Sequence, residues 1–213
     1  WLFVRRQHRL DDPLLTFEIF RSRMFTGGVL AAVGGMFVLA GAELMTTQKL
    51  QLVDELTPLA AGATVAVMAA AAIPASALGG AYLHAVGFLP LIAGGFAGAA
   101  VGAGVLVAGG TWTGLVLLGL SAGFVMSVSS IAIIGSVPMH RSGMAAGVEE
   151  VSYELGTLVT VALTGSLLQA GLGRGVEYTD AYNSVIAVLG VAAAAFCVAT
   201  AVCFRGNPKS GGA

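Results

Sequence analysis

Charged side chains are what this sequence most lacks. Asp, Glu, Lys and Arg make up 10% of its 213 residues, against roughly 25% in a soluble domain. That shortage excludes an ordinary solvated surface. The charges are also segregated: Gly27–Gly41, Leu59–Gly80 and Phe88–Gly110 contain none. An apolar run of about 18 residues or more is long enough to cross a bilayer. Such runs recur along the chain, which therefore reads as an all-α polytopic membrane protein with the lipid bilayer as its partner. The net charge of −1 argues against nucleic acid or any other polyanion as a partner. Cysteine is nearly absent. Cys197 and Cys203 fall on one predicted helix, separated by about 9 Å of rise, too far to bridge in place. No Gly–Lys–Ser/Thr phosphate loop, dinucleotide fingerprint or paired-cysteine metal spacing occurs, and no signal-peptide pattern either. His8, His84 and His140 fall in predicted loops, without metal-ligand spacing. The expectation is no enzyme, no metal and no cofactor.

What is present is apolar sequence in six blocks, predicted as spans over 24–44, 56–78, 87–108, 112–137, 142–172 and 181–204. Residues 1–23 alternate basic and apolar side chains and read as an amphipathic linker on the membrane surface. The bundle occupies 24–204, and 205–213 is a polar tail. Ser142 is the predicted N-cap of the fifth span. Orientation follows from Lys and Arg. Six spans put Arg5, Arg6, Arg9, Arg21, Arg23, Arg141, Arg205 and Lys209 on one side, and only Lys49 and Arg174 on the other. Both ends of the chain are therefore expected in the cytoplasm. Trp1–Val4 reads as the tail of an earlier apolar segment, so a longer polypeptide is expected upstream. Glycine is abundant, at 31 residues. Gly94, Gly98 and Gly102 fall at four-residue spacing and predict a smooth packing face on the third span, with Gly147, Gly156 and Gly165 doing the same for the fifth.

The chemistry concentrates in the fifth span, where Glu149, Glu150 and Glu154 lie in the first half of a membrane-length segment. A carboxylate in a membrane helix costs a few kcal/mol or more and marks a paired, protonated or water-lined position. Glu150 and Glu154 share a face one turn apart, with Tyr153 beside them and Thr157 one turn on; Glu149 points about 100° away. Two carboxylates so close in low dielectric do not both ionise cheaply. Such a pair takes up a proton when empty and releases it when a cation arrives, as proton-coupled antiport requires. Glu43, near the outer end of the first span, is a further embedded acid that faces either a cavity or the interface.

The run Gly135–Leu168 resembles the penultimate-span region of the major facilitator superfamily, in its 14-span drug:proton antiporter branch. Pro138, Arg141, Gly143, Ala145 and Gly147 match the loop pattern of that branch, and Glu149, Glu150 and Glu154 match its acids. Gln51–Gly62 is similar to the approach to the second span, and the DDPLLTFEIFRSRMF segment to the linker before the C-terminal bundle. The sequence departs from the pattern at Leu50 and Glu55, and its loop 79–86 lacks the usual basic residues. The resemblance implies one half of a two-bundle transporter, built as a 3+3 inverted repeat. It implies proton-gradient-driven export of lipophilic or cationic drugs, with a small-molecule substrate, in a bacterial-type inner membrane. Glu150 and Glu154, with Glu149, would bind protons or cations. Tyr153, Thr157 and Glu43 would line a substrate cavity. The missing N-terminal bundle of the same polypeptide would complete the transporter. The alternatives are export of a metabolite or natural product, and a non-transporting component derived from such a bundle.

Overall fold

The computed structural model describes residues 17–205. Most of the expected surface linker and of the C-terminal tail lies outside the described residues, and so do Arg5, Arg6, Arg9 and Lys209. A short 3-10 turn, Phe17–Arg21, leads into six α-helices: α1 (Arg23–Leu52), α2 (Pro58–Val86), α3 (Phe88–Val107), α4 (Thr111–Ile134), α5 (Ser142–Leu172) and α6 (Tyr178–Phe204). A second 3-10 turn, Met139–Arg141, precedes α5. All six helices are long and apolar enough to cross a membrane.

Local chemistry sets the helix ends. The Ser22 hydroxyl accepts a hydrogen bond from the Phe25 amide at 3.4 Å, and Thr57 accepts from the Ala60 amide at 3.3 Å. Pro58 then opens α2 at a position where a missing N–H is harmless. Gly87, at φ 89°, ends α2 in a conformation that glycine adopts without steric cost. It is the one residue between α2 and α3.

Two helices ended later than expected. α1 continues through Thr46, Gln48 and Lys49 because α6 receives their polar groups. The Thr46 and Tyr182 hydroxyls lie 3.2 Å apart, Tyr178 donates to Gln48 at 3.4 Å, and the Lys49 ammonium stands 5.4 Å from the Tyr182 ring centre. The predicted loop 79–86 is helical and ends α2, which also puts His84 on a helix rather than in a loop. Its Gly79 packs against Ser127 and Phe124 of α4. Ser142 is the first residue of α5 and not its cap; its hydroxyl donates to the Met139 carbonyl at 2.9 Å.

The bundle has two layers. A front row runs α2, α4, α1, α5, and α3 and α6 pack together behind α4 and α1. Helices α1 and α4 are central and the most buried. Among the described residues α2 and α5 do not touch. Exchanging α1 with α4, α2 with α5 and α3 with α6 reproduces every principal packing pair: α2 on α4 becomes α5 on α1, and α3 on α4 becomes α6 on α1. Each set of three helices crosses the membrane an odd number of times, so the sets run in opposite senses. This is the packing expected of an inverted repeat.

Close approaches hold the front row together, since lipid provides no hydrophobic drive between spans. Gly119 and Gly123 of α4 lie against the Met68 and Ala72 carbonyls of α2, and Gly156 of α5 against the Val33 carbonyl of α1. The expected glycine face of α3 holds at Gly98 and Gly102, with Gly95 in place of Gly94. Gly95, Gly98 and Gly102 meet α4, whereas Gly94 has nothing near it. On α5 only Gly156 makes the expected approach; Gly147 and Gly165 meet open space.

Candidate functional site

The buried stripe of α5 comprises Ala145, Glu149, Ser152, Gly156, Thr160, Thr164 and Leu168. These positions recur every three or four residues and press against α1. A glutamate therefore sits on the packed face of a membrane-length helix. Glu149 is 9% exposed, and its Oε1 accepts a hydrogen bond from the Tyr153 hydroxyl at 2.7 Å. Tyr153 in turn interacts with Ser129 of α4, which is fully buried and donates to its own Met126 carbonyl at 2.9 Å. Tyr153 also packs on the cluster of Phe25, Ala32, Ile133 and Ala145. The Glu149–Tyr153 pair thus stands beside a buried α4 hydroxyl at a junction that is otherwise apolar.

Glu150 and Glu154 lie elsewhere: both are exposed. At 100° per residue they stand roughly 100° and 140° round α5 from Glu149, on the side toward which Tyr153 leans to α4. Gly143, Gly147 and the half-buried Thr157 share that face, so 143, 147, 150, 154 and 157 form one stripe. A Cβ added at Gly143 or Gly147 would meet nothing. The adjoining exposed face, centred roughly 100° further round the helix, carries Val151, Leu155, Leu158 and Val159. Helix α5 thus carries a small, acidic stripe beside an apolar one. Pro138 precedes the turn that opens the helix, and the half-buried Arg141 ends it.

The spans predicted Glu150 and Glu154 as the leading pair and Glu149 as secondary. In the fold Glu149 is the buried acid with a hydrogen-bonded partner, and the other two are on the open stripe. The structure brings Tyr153 to Glu149 and leaves Thr157 bonded to its own helix, through the Tyr153 carbonyl at 3.1 Å. Ser129 was missed because nothing in the sequence of α4 points it at α5. The spacing of Glu149, Ser152, Gly156 and Thr160 was the available signal that Glu149 faces inward.

Glu43 is apart from this group. Gly41 of α1 lies beside Thr160 of α5, so Glu43 stands about 12 Å further along the parallel helices than Glu154. It lines a cavity of about 370 Å³ between α1 and α2. Phe37 of α1 is buried against Phe196 of α6, with ring centres 6.0 Å apart. Among the described residues no group of three or more His, Cys, Asp or Glu side chains is placed to hold a metal.

No family model matches the chain. It is 31% identical over 183 residues to the methyl viologen resistance protein SmvA of Salmonella typhimurium, covering 83% of this chain and 37% of that protein. It is 34% identical over 184 residues to the multidrug efflux pump LfrA of Mycolicibacterium smegmatis, covering 79% of this chain and 35% of that pump. Identity to the drug efflux pump JefA of Mycobacterium tuberculosis is 30% over 190 residues, covering 85% and 37% respectively. The chain thus spans little more than a third of the length of the curated relatives it matches.

Proposed function

The chain is homologous to bacterial multidrug efflux pumps of the major facilitator type, and on that premise we propose that it forms the C-terminal six-span half of a proton-coupled drug exporter. In this reading 24–204 is the transporter bundle, 1–23 the linker to a preceding N-terminal bundle and 205–213 a tail. Both ends face the cytoplasm of a cell with the pump in its inner membrane. The substrate is a lipophilic or cationic drug.

The observation that carries the proposal is the acidic stripe of α5. Two exposed carboxylates, Glu150 and Glu154, occur on a membrane-length helix among glycines and a threonine, on a stripe that adjoins its exposed apolar face. Carboxylates facing acyl chains are costly, whereas those facing a water-filled path or a second bundle are tolerated and functional. The stripe therefore suits the surface where the two halves of a transporter meet. Glu150 and Glu154 exchange protons with cargo there. Glu149, held by Tyr153, links the stripe to α4, so the charge state of the acids bears on how α5 packs against the central helix.

Drug-induced proton release from the natural polypeptide, purified and weakly buffered, tests the reading. Glu150→Gln and Glu154→Gln are expected to reduce the released protons, and the double variant to abolish them. Unchanged release from the double variant removes these acids from the mechanism.

A further inference from the structure

Helices α1 and α2 adjoin in sequence yet pack weakly, because α2 clamps onto α4 through Gly119 and Gly123 instead. The crevice left between them measures about 370 Å³, within the range of small-molecule sites. One wall is α2. Gly62, Ala66 and Ala69 succeed one another there at helical spacing, beside Val65 and Met68, so this wall is flat and apolar. The other wall is α1, which contributes Leu39, the Glu43 carboxylate and, one turn on, Thr47. Among the described residues no ion pair or hydrogen bond engages Glu43. The nearest basic side chain along α1, Lys49, is held over the Tyr182 ring at 5.4 Å.

We propose that this crevice is a binding subsite for an organic monocation with a flat, apolar body, with Glu43 as its counter-charge. The alanine wall accepts a ring face. The carboxylate offsets the single positive charge, and Thr47 offers a hydroxyl to the cation's polar edge. Glu43 lies toward the far end of the bundle, about 12 Å along the helix axes from Glu154. The crevice is therefore separate from the α5 stripe. The proposal shares with the export reading only the expectation of cationic cargo. Binding here does not require that the α5 acids move protons.

The test is ethidium binding to the natural polypeptide in lipid nanodiscs, followed by fluorescence anisotropy. Glu43→Gln is expected to weaken ethidium roughly tenfold or more, and Glu43→Asp to stay within about threefold of wild type. Ala69→Leu, which fills the crevice without touching the charge, is expected to match Glu43→Gln. Ala77→Leu, exposed on α2 about 12 Å along the helix from Ala69 and outside the crevice lining, leaves binding unchanged and controls for folding. A neutral phenanthridine of the same ring system should be insensitive to Glu43→Gln and sensitive to Ala69→Leu. Wild-type ethidium affinity in both Glu43→Gln and Ala69→Leu overturns the proposal. So does an equal loss in Ala77→Leu, which would make the effect one of general packing. Drug-induced proton release, measured on the same variants, reports separately on the α5 acids, so failure of one reading is distinguishable from failure of the other.

Discussion

Replacing Gly119 by alanine tests the architecture at its tightest point. A Cβ at this position would fall on the Met68 carbonyl oxygen and within 2.9 Å of the Met68 Cα. Backbone atoms cannot rotate aside, so α4 and α2 must part along their crossing. Overpacking of this kind costs about 1–3 kcal/mol, partly offset by the roughly 0.5–1 kcal/mol that alanine gains over glycine within a helix. The net expectation is a loss of about 1–2 kcal/mol. Gly94→Ala is the matched control, since a Cβ there meets nothing within 4 Å and only the helix-propensity gain remains. Thermal unfolding in detergent, followed by circular dichroism, should place Gly119→Ala several degrees below wild type, at roughly 2–4 °C per kcal/mol. Gly94→Ala should melt at or slightly above wild type. If Gly119→Ala is as stable as wild type, or Gly94→Ala falls as far, the packing of α2 on α4 described here is wrong.

Tyr153→Phe removes the donor to Glu149 and leaves a buried carboxylate with one partner fewer. The expected loss is about 1.5–3 kcal/mol, the worth of a hydrogen bond to a charged group. Glu149→Gln keeps an acceptor for the phenol and should cost less, a ranking that denaturation midpoints of the two variants check. Thr46→Val removes the hydroxyl that meets Tyr182 and should cost about 0.5–1.5 kcal/mol. Because this contact ties the end of α1 to α6, faster amide exchange in the last turns of α1 should accompany the loss.

The six spans were legible because charge-free stretches of membrane length are hard to mistake. Their ends were less so. Thr46, Gln48 and Lys49 look like loop residues until α6 supplies Tyr178 and Tyr182 as partners. Gly79 and Gly80 look like breakers until α4 takes Gly79 into a contact. The same limit governed the acids. Periodicity placed Glu150 and Glu154 on one face and Glu149 on another, which holds. It could not say which face packs, because that depends on where α1 lies. A cavity at Glu43 was one of two readings, but its opposite wall was out of reach for the same reason: that wall belongs to a different helix, and a run of alanines carries no signal until something is seen to face it.

The repeat can be pressed further, to single side chains. Among the described residues two buried hydroxyls lack a hydrogen-bond partner, Ser127 on α4 and Thr160 on α5. Each faces a glycine on the neighbouring parallel helix: Ser127 meets Gly79 of α2, and Thr160 meets Gly41 of α1. Each also lies one turn beyond a glycine at a close crossing, Gly123 in the first case and Gly156 in the second. Exchanging the two halves of the bundle maps one contact onto the other, with hydroxyl and glycine trading helices. A hydroxyl against a glycine Cα has only a weak Cα–H···O contact, worth about 0.5–1 kcal/mol, while an unpaired buried hydroxyl costs about 1–3 kcal/mol. Thr160→Val and Ser127→Ala should therefore leave stability unchanged or raise it by about 1 kcal/mol each, and the effects should add because the sites share no partner. Unfolding midpoints of the two single variants and the double variant decide the matter. A loss above about 1 kcal/mol in either would mean that its hydroxyl has a partner beyond the described residues, and that the likeness of the two crossings is one of shape without shared energetics.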